Sequence, residues 1–324
     1  MRLLLVVNTS ASSVTARARV VIHKALSADH EVVMKETNRR GHAARLAQGA
    51  AADGLDAVVV LGGDGTMNEA ANGLAGSPTA LAVLPGGSTN VFARTIGMAN
   101  DPIDATSQLL SALAAGSVAR VGLGQANARY FLFHAGIGFD AAVVAGVEKL
   151  ASLKRYTGPA LFLGEALFTW AHGYDRRHPA FSVSSDAGPA IDDGYFAVCL
   201  NTDPYTYLGN RPVHLAPGTS LVTPLSLVVL RKLTLQAVIP VVVAAFGEGL
   251  SHDGRQHTSV LSPVVGATIK GHRPVPYQVD GDYVAESDQI ELRWAAEVLS
   301  LVLPVGTDQG PVARDRPAGP GPRP

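Results

Sequence analysis

Short aliphatic runs alternate with alanine-rich, helix-length segments through the first hundred residues, and that alternation fixes the class of fold. Leu3–Val7, Glu31–Met34, Ala57–Leu61 and Ala80–Leu84 are rich in β-branched residues and read as buried strands. Between them lie Thr15–Ser27, Arg39–Ala51, Met67–Ala75 and Thr89–Ile96. A fifth helix follows at Ile103–Ala115, capped by Asp101 with Pro102 in its first turn. Parallel strands need a long crossover, usually a helix, so this pattern predicts a parallel sheet with helices on both faces.

After about Gly116 the pattern changes. Tyr130–His134, Phe181–Val183, Tyr195–Leu200, Leu225–Leu230, Thr258–Leu261, Thr268–Gly271, Pro276–Val279, Ile290–Arg293 and Val298–Leu303 are strand-like and separated by turn signals. One helical insert, Tyr156–His172, interrupts them. The expected architecture is an α/β domain with a parallel sheet over 1–120 and a mainly antiparallel β-sandwich over 121–305. A Pro- and Gly-rich tail over 306–324 is expected to be disordered. A chain of 324 residues has room for two such cores.

Composition narrows the setting. The most apolar stretch, Leu221–Phe246, is cut by Pro224, Arg231, Lys232, Gln236 and Pro240, and its uncharged piece is shorter than the ~20 residues of a membrane span. The opening MRLLLVV has too short an apolar run for a signal peptide and reads as a strand. A single cysteine, Cys199, excludes an internal disulfide or a Cys-cluster zinc site. A net charge of −1 argues against a nucleic-acid partner. Cytoplasmic residence is expected.

Two glycine loops carry the chemistry. In DAVVVLGGDGTMNEAANGL, a strand ends at Leu61 and Gly62, Gly63, Asp64, Gly65 and Thr66 lead into a helix. Adjacent glycines let backbone approach a bulky anion, and a helix start offers N–H donors. Asp64 in such a loop suits magnesium better than phosphate. In LAVLPGGSTNVFARTIG, Pro85-Gly86-Gly87 turns the chain after a second strand, and Ser88, Thr89 and Asn90 open the next helix. Both loops fall at the carboxyl ends of parallel strands, the usual ligand edge of such a sheet.

GGDGTMNEAANGL followed by LPGGSTNVFAR resembles the diacylglycerol kinase catalytic-domain family of bacterial lipid, sphingosine and ceramide kinases. The likeness continues through FHAGIGFDAAVV, PYTYLGNRPVHLAPGTS and YQVDGDYV to about residue 305. It implies a nucleotide-binding α/β domain, a β-sandwich domain and a cleft between them, with ATP and Mg²⁺ as cofactors. The implied nucleotide contacts are Asn8, Ser10, Ser12, Thr37, Gly62, Gly63, Asp64, Gly65, Thr66, Asn68, Glu69, Gly87, Ser88, Thr89 and Asn90. Asp64 is the implied metal contact and Asp140 an implied cleft residue.

VPYQVDGDYVAES supplies the implied catalytic acids, Asp280 and Asp282. Asp-Gly between two strand-like runs is also a strong hairpin signal. Asp282 stands where the family has Glu, one methylene longer, which favours Asp280 as the acceptor of the proton. Two departures stand out: the first loop, Asn8-Thr9-Ser10-Ala11-Ser12, lacks the family's Pro and Gly, and GTSLVTPLSLVV lacks the Asp-rich magnesium loop. Asp192 and Asp193 read as turn residues. Gly136-x-Gly138-x-x-Ala141 has dinucleotide-fingerprint spacing, with no βαβ pattern after it.

The expected activity is transfer of the γ-phosphate of ATP to a lipid hydroxyl, with diacylglycerol giving phosphatidic acid. NAD kinase and a non-enzymatic nucleotide- or lipid-binding protein are the alternatives. The expected partner is a membrane lipid, reached by peripheral association at the inner face of the membrane, with a homodimer allowed for. The insert helix, flanked by Lys154-Arg155 and Arg176-Arg177, is the expected membrane contact.

Overall fold

The computed structural model describes residues 1–138, 177–250 and 257–306. Strands β1 (Arg2–Val7), β2 (Glu31–Glu36), β3 (Ala57–Gly62) and β4 (Ala80–Pro85) are parallel, in the spatial order β4-β3-β1-β2. Helices α1 (Ala16–Leu26), α2 (His42–Ala52) and α3 (Asp64–Leu74) cross between them, and α4 (Val91–Thr95) and α5 (Pro102–Ala115) follow β4. Local chemistry sets these limits. The Thr15 side chain accepts from Ala18 N–H at the start of α1. Asp101 accepts from the N–H groups of Ile103 and Asp104, and α5 ends on Gly116 at φ 62, where a left-handed residue closes the last turn.

Every residue of β3 and β4 is buried, as their unbroken aliphatic runs require. β2 departs from the expectation of a buried strand. It is the sheet edge, with Val33 and Met34 48% and 39% exposed. Among the described residues it pairs only with β1, and α1 covers it in part, through Arg19 on Glu36.

The remaining strands form an antiparallel, strand-rich region. Its path runs β14 (Thr258–Val264), β13 (Leu225–Leu230), β10 (Phe196–Leu200), β7 (His134–Gly138), β15 (Gly266–Val279) and β16 (Asp282–Val302). β5 (Val118–Ala126) pairs with β16 and β6 (Arg129–Phe131), and β8 (Phe181–Ser185) pairs with β15 and β9 (Gly188–Gly194). A separate hairpin joins β11 (Thr206–Leu208) to β12 (Arg211–Val213), and helix α6 (Leu235–Ala245) follows β13. β16 then meets β4 in parallel, Leu301 opposite Leu81, so one mixed sheet runs through both regions.

Two large cores follow. One joins the parallel strands and α1–α5 with Leu299, Leu301 and Leu303; the other gathers Phe131, Ile137, Phe181, Tyr277 and Leu292. Several expectations change. Thr268–Gly271 and Pro276–Val279 belong to the single strand β15, and Ile290–Arg293 and Val298–Leu303, but for Leu303 itself, to β16, each with a register shift between its halves. Asp192 and Asp193 lie in β9 rather than a turn, and Asp193 accepts from Arg231 Nε at 2.6 Å. Gly136 and Gly138 lie in the buried strand β7, between β10 and β15, and Gly138 is its last residue. Asp140, Ala141, the insert Tyr156–His172 and the tail from Thr307 lie outside the described residues. No helix among the described residues is long and apolar enough to cross a membrane.

Candidate active site

The site begins where β3 gives way to α3. Gly63 caps the helix with extended backbone, so Asp64, Gly65 and Thr66 form its first turn. Thr66 and Met67 N–H turn back to the Gly63 carbonyl at 3.0 and 3.1 Å. Gly65 lines an open pocket of about 320 Å³, at the end of the helix where N–H donors and the dipole favour anions. Asn8 and Ser10 after β1, Thr37–Arg40 after β2, Thr66 and Glu69 of α3, and Asp282 at the head of β16 complete its wall. A Cβ on Gly65 would lie 3.4 Å from Asp282 Oδ2, so glycine there keeps the space between helix end and acid clear.

Hydrogen bonds hold this wall. Asn8 Nδ2 donates to Thr66 Oγ1 at 2.9 Å, and Asn8 Oδ1 accepts from Ser10 N–H at 3.0 Å. These tie the first loop to α3 although it lacks the expected Pro and Gly. Glu69 accepts from the N–H groups of Gly41 and Ala43, capping α2. Six of the expected nucleotide contacts therefore meet in one pocket: Asn8, Ser10, Thr37, Gly65, Thr66 and Glu69.

The others do not line it. Gly62, Gly63 and Gly87 serve loop packing: a Cβ on Gly87 would sit 2.9 Å from Gly63 Cα, and one on Gly86 would sit 2.9 Å from Gly62 Cα. Ser12 and Ser88 are exposed and Thr89 is half-buried, all outside the lining. Asn90, buried at φ 52, bonds its own loop through Gly87 N–H at 2.7 Å and reaches Asn100. Asp64 caps the second loop's helix and does not line the pocket. Its two oxygens accept from Val91 N–H at 3.0 Å and Phe92 N–H at 2.9 Å. Desolvation pushes its carboxyl above the usual range against the pull of those amides.

Each Asp64 oxygen has one N–H partner and keeps a lone pair, so the carboxylate retains acceptor capacity for a magnesium ion, while the described residues gather no group of three His, Cys, Asp or Glu side chains that could hold a metal by themselves.

Asp280 and Gly281 form a two-residue hairpin turn, and Asp282 follows it. Asp280 at φ 49 and Gly281 at φ 81 are both left-handed, the geometry that Asp-Gly favours, and Val279 pairs with Asp282. The turn sends the two carboxylates to different places. Asp280, only 5% exposed, accepts from the N–H groups of Leu132 (2.7 Å), Phe133 (3.0 Å) and His134 (3.1 Å) and from Asn68 Nδ2 (2.7 Å). Burial pushes its carboxyl up to about 7 against these four donors. Asp282 reaches the pocket and is paired with Arg40 at 3.3 Å and Arg129 at 3.1 Å. Of the two acids, Asp282 lines the pocket and Asp280 does not.

Asn68, expected to touch nucleotide, is buried behind the wall. Its Oδ1 accepts from Arg129 Nε (3.1 Å) and NH2 (2.8 Å), linking Asp280 to the guanidinium that holds Asp282. Asn72, one turn on, exchanges bonds with Tyr130 N–H and C=O and docks α3 on β6. Arg39, Arg40 and Arg129 were not among the expected contacts. Two adjacent arginines beyond Thr37 were visible as a basic pair; nothing local marks Arg129.

Residues 2–125 match the diacylglycerol kinase catalytic domain. Diacylglycerol kinases of Staphylococcus aureus strains JH9 and Newman are 30% identical over 200 residues, covering 53% of this chain and 61% of theirs. The match therefore spans less than two thirds of those relatives. A diacylglycerol kinase crystal structure from Bacillus anthracis str. Sterne aligns with a TM-score of 0.70 at 20% identity, covering 94% of this chain and 98% of that one. At that identity the likeness shows the fold: a mixed sheet, parallel in its N-terminal strands and antiparallel beyond.

Proposed function

We propose, from the match of residues 2–125 to the diacylglycerol kinase catalytic domain, that the chain transfers the γ-phosphate of ATP to a lipid hydroxyl, with diacylglycerol giving phosphatidic acid. The observation that carries this reading is the convergence of the α3 N-terminus, the arginines at 39 and 40 and Asp282 on one pocket. Helix N–H groups and guanidinium forks both suit phosphate oxygens. Hydroxyls at Ser10, Thr37 and Thr66 add donors that carry no charge.

Phosphoryl transfer is mainly positioning and charge neutralisation, with a carboxylate orienting the nucleophile. In this reading Asp282 accepts the proton of the lipid hydroxyl as its oxygen bonds the γ-phosphorus. The bond from that phosphorus to the β–γ bridging oxygen breaks, and ADP leaves. Arg129 holds Asp282 at the pocket, and phosphate oxygens compete with Asp282 for Arg40. Magnesium belongs to the substrate here, entering as Mg·ATP. The rest of the reading keeps the division at residue 120, a cytoplasmic enzyme visiting the inner face of the membrane, and no nucleic-acid partner.

The test is transfer of labelled γ-phosphate from Mg·ATP to a panel of hydroxyl lipids in mixed micelles, with NAD as a soluble control. A labelled lipid is the expected result and names the acceptor. Labelled NADP would overturn the lipid assignment, and ATP binding without any labelled product would overturn the enzyme assignment.

A further inference from the structure

Helix α6 has no charged side chain in its 11 residues. Ala237, Val241, Ala244 and Ala245 turn inward onto a small core with Leu230, Leu233 and Leu250. On the other side Leu235, Ile239, Val242 and Val243 are 57%, 55%, 47% and 66% exposed. Their spacing of four, seven and eight places them on one helical stripe. A surface helix of a soluble domain presents polar residues there, so this one is apolar on both faces.

The stripe is short and purely aliphatic. It lacks the aromatic, Met and Arg anchors typical of protein interfaces. Four half-exposed side chains also fall well short of the roughly 800 Å² per partner of a standard interface. Its flanks are basic. Arg231 and Lys232 precede the helix, and Arg211 donates to the Phe246 carbonyl at its far end. Arg231 is paired with Asp193, whereas Lys232 and Arg211 meet no acid among the described residues. Glu248 is the acid nearest in sequence.

The stripe is also tied to the glycine-loop side of the sheet. The β11–β12 hairpin bridges the two: Arg211 bonds the end of α6, while Gly209 accepts from Arg94 NH1 at 2.9 Å and Tyr207 lies under the Arg94 guanidinium. Arg94 belongs to α4, the helix that the second glycine loop opens into. Leu208, at the hairpin tip, is a further exposed aliphatic residue.

We propose that α6 is a membrane-docking surface, its aliphatic stripe entering the headgroup–acyl boundary of an anionic bilayer with Lys232 and Arg211 against the lipid phosphates. Apolar area on the stripe and basic residues at its ends supply the two terms on which interfacial binding depends, buried apolar surface and attraction to anionic lipid. The proposal rests on the reading that the acceptor is a lipid. It places a contact at α6, and the insert Tyr156–His172 lies outside the described residues.

The experiment is sedimentation of the full chain, without nucleotide, with vesicles of phosphatidylglycerol and phosphatidylcholine or of phosphatidylcholine alone. The parent should bind the anionic vesicles, and Ile239→Asp with Val243→Asp should weaken that binding at least about tenfold. Lys232→Glu should reduce the preference for anionic over neutral vesicles, a readout that a folding defect would not mimic. Vesicle binding by the double variant equal to the parent's overturns the proposal, as does a parent that stays in the supernatant. A concentration-dependent dimer that the double variant abolishes, without vesicle binding, assigns the stripe to a second copy and also overturns it. A parent that docks through α6 yet phosphorylates no hydroxyl lipid upholds the docking surface and defeats the kinase reading.

Discussion

Asp280 and Asp282 differ by two positions and by every feature of their surroundings. Asp280 is an internal fastener for residues 132–134, held by four donors, while Asp282 stands at the pocket under two guanidinium groups. Asp282→Asn should lower kcat by about 100-fold or more, the scale of a lost general base, with little change in Tm. Asp280→Asn turns an amide N–H toward a buried donor and should cost about 2–4 kcal/mol, read by chemical denaturation. A larger loss of kcat in Asp280→Asn than in Asp282→Asn, with no loss of stability, would show the duties to be reversed. A pH signature accompanies this. Burial holds the Asp280 carboxyl at about 7 and the His134 imidazole at about 3, and His134 Nδ1 has no partner among the described residues. Unfolded, these groups titrate near about 3.9 and about 6.5. Across that window the native state keeps a proton on Asp280 that the unfolded chain has released, so this contribution falls as pH rises. His134 refuses a proton that the unfolded chain takes up, so its contribution falls as pH drops. The two offset. His134→Phe should leave Asp280's slope alone, a loss of up to about 1.4 kcal/mol per pH unit on going from about pH 4 to 6.5. A stability–pH curve parallel to the parent's would count against it. The acids themselves were legible in the sequence, but residue types do not reveal that two left-handed residues turn one carboxylate inward and leave the other at the pocket.

Among the elements, the parallel strands and their helices follow from aliphatic runs and caps, and they emerge within a few residues of their expected limits. Legibility fails where apolar periodicity is interrupted. Lys270–Pro274 breaks the alternation of β15 at its register shift, and Glu297, at φ 49, marks the corresponding break in β16, so each strand reads as two. α6 was read only as an apolar stretch, because a helix apolar on both faces has no contrast for periodicity to detect. The contact between α2 and α3 is similarly hidden. A Cβ on Gly73 would lie 2.4 Å from the Ala44 carbonyl oxygen and 2.9 Å from Ala47 Cβ. Gly73→Ala must push α2 away and should cost about 1–3 kcal/mol, measured as a fall in Tm. Because Glu69 of α3 caps α2 beside the pocket, the same variant should also raise KM for ATP; an unchanged melt would mean the helices part at no cost.

For the whole molecule, long-range closure matters most. β16 starts at Asp282 in the pocket, crosses the antiparallel core and ends beside β4 with Leu301 and Leu303 in the first core. Sequence analysis could place Val298–Leu303 as a strand but not choose its neighbour, since a pairing more than two hundred residues apart leaves no local trace. A fragment of residues 1–125 should therefore fail to melt cooperatively and should aggregate, because it leaves the fully buried β4 as an open edge. A sharp transition from a monomeric fragment would refute this. In evolutionary terms, the stretch that carries the recognisable signature is not a movable part. Recombination that grafted it onto another partner would have to carry the far end of β16 as well, and with it the acid at that strand's other end. The glycine-loop half and Asp282 are heritable only together.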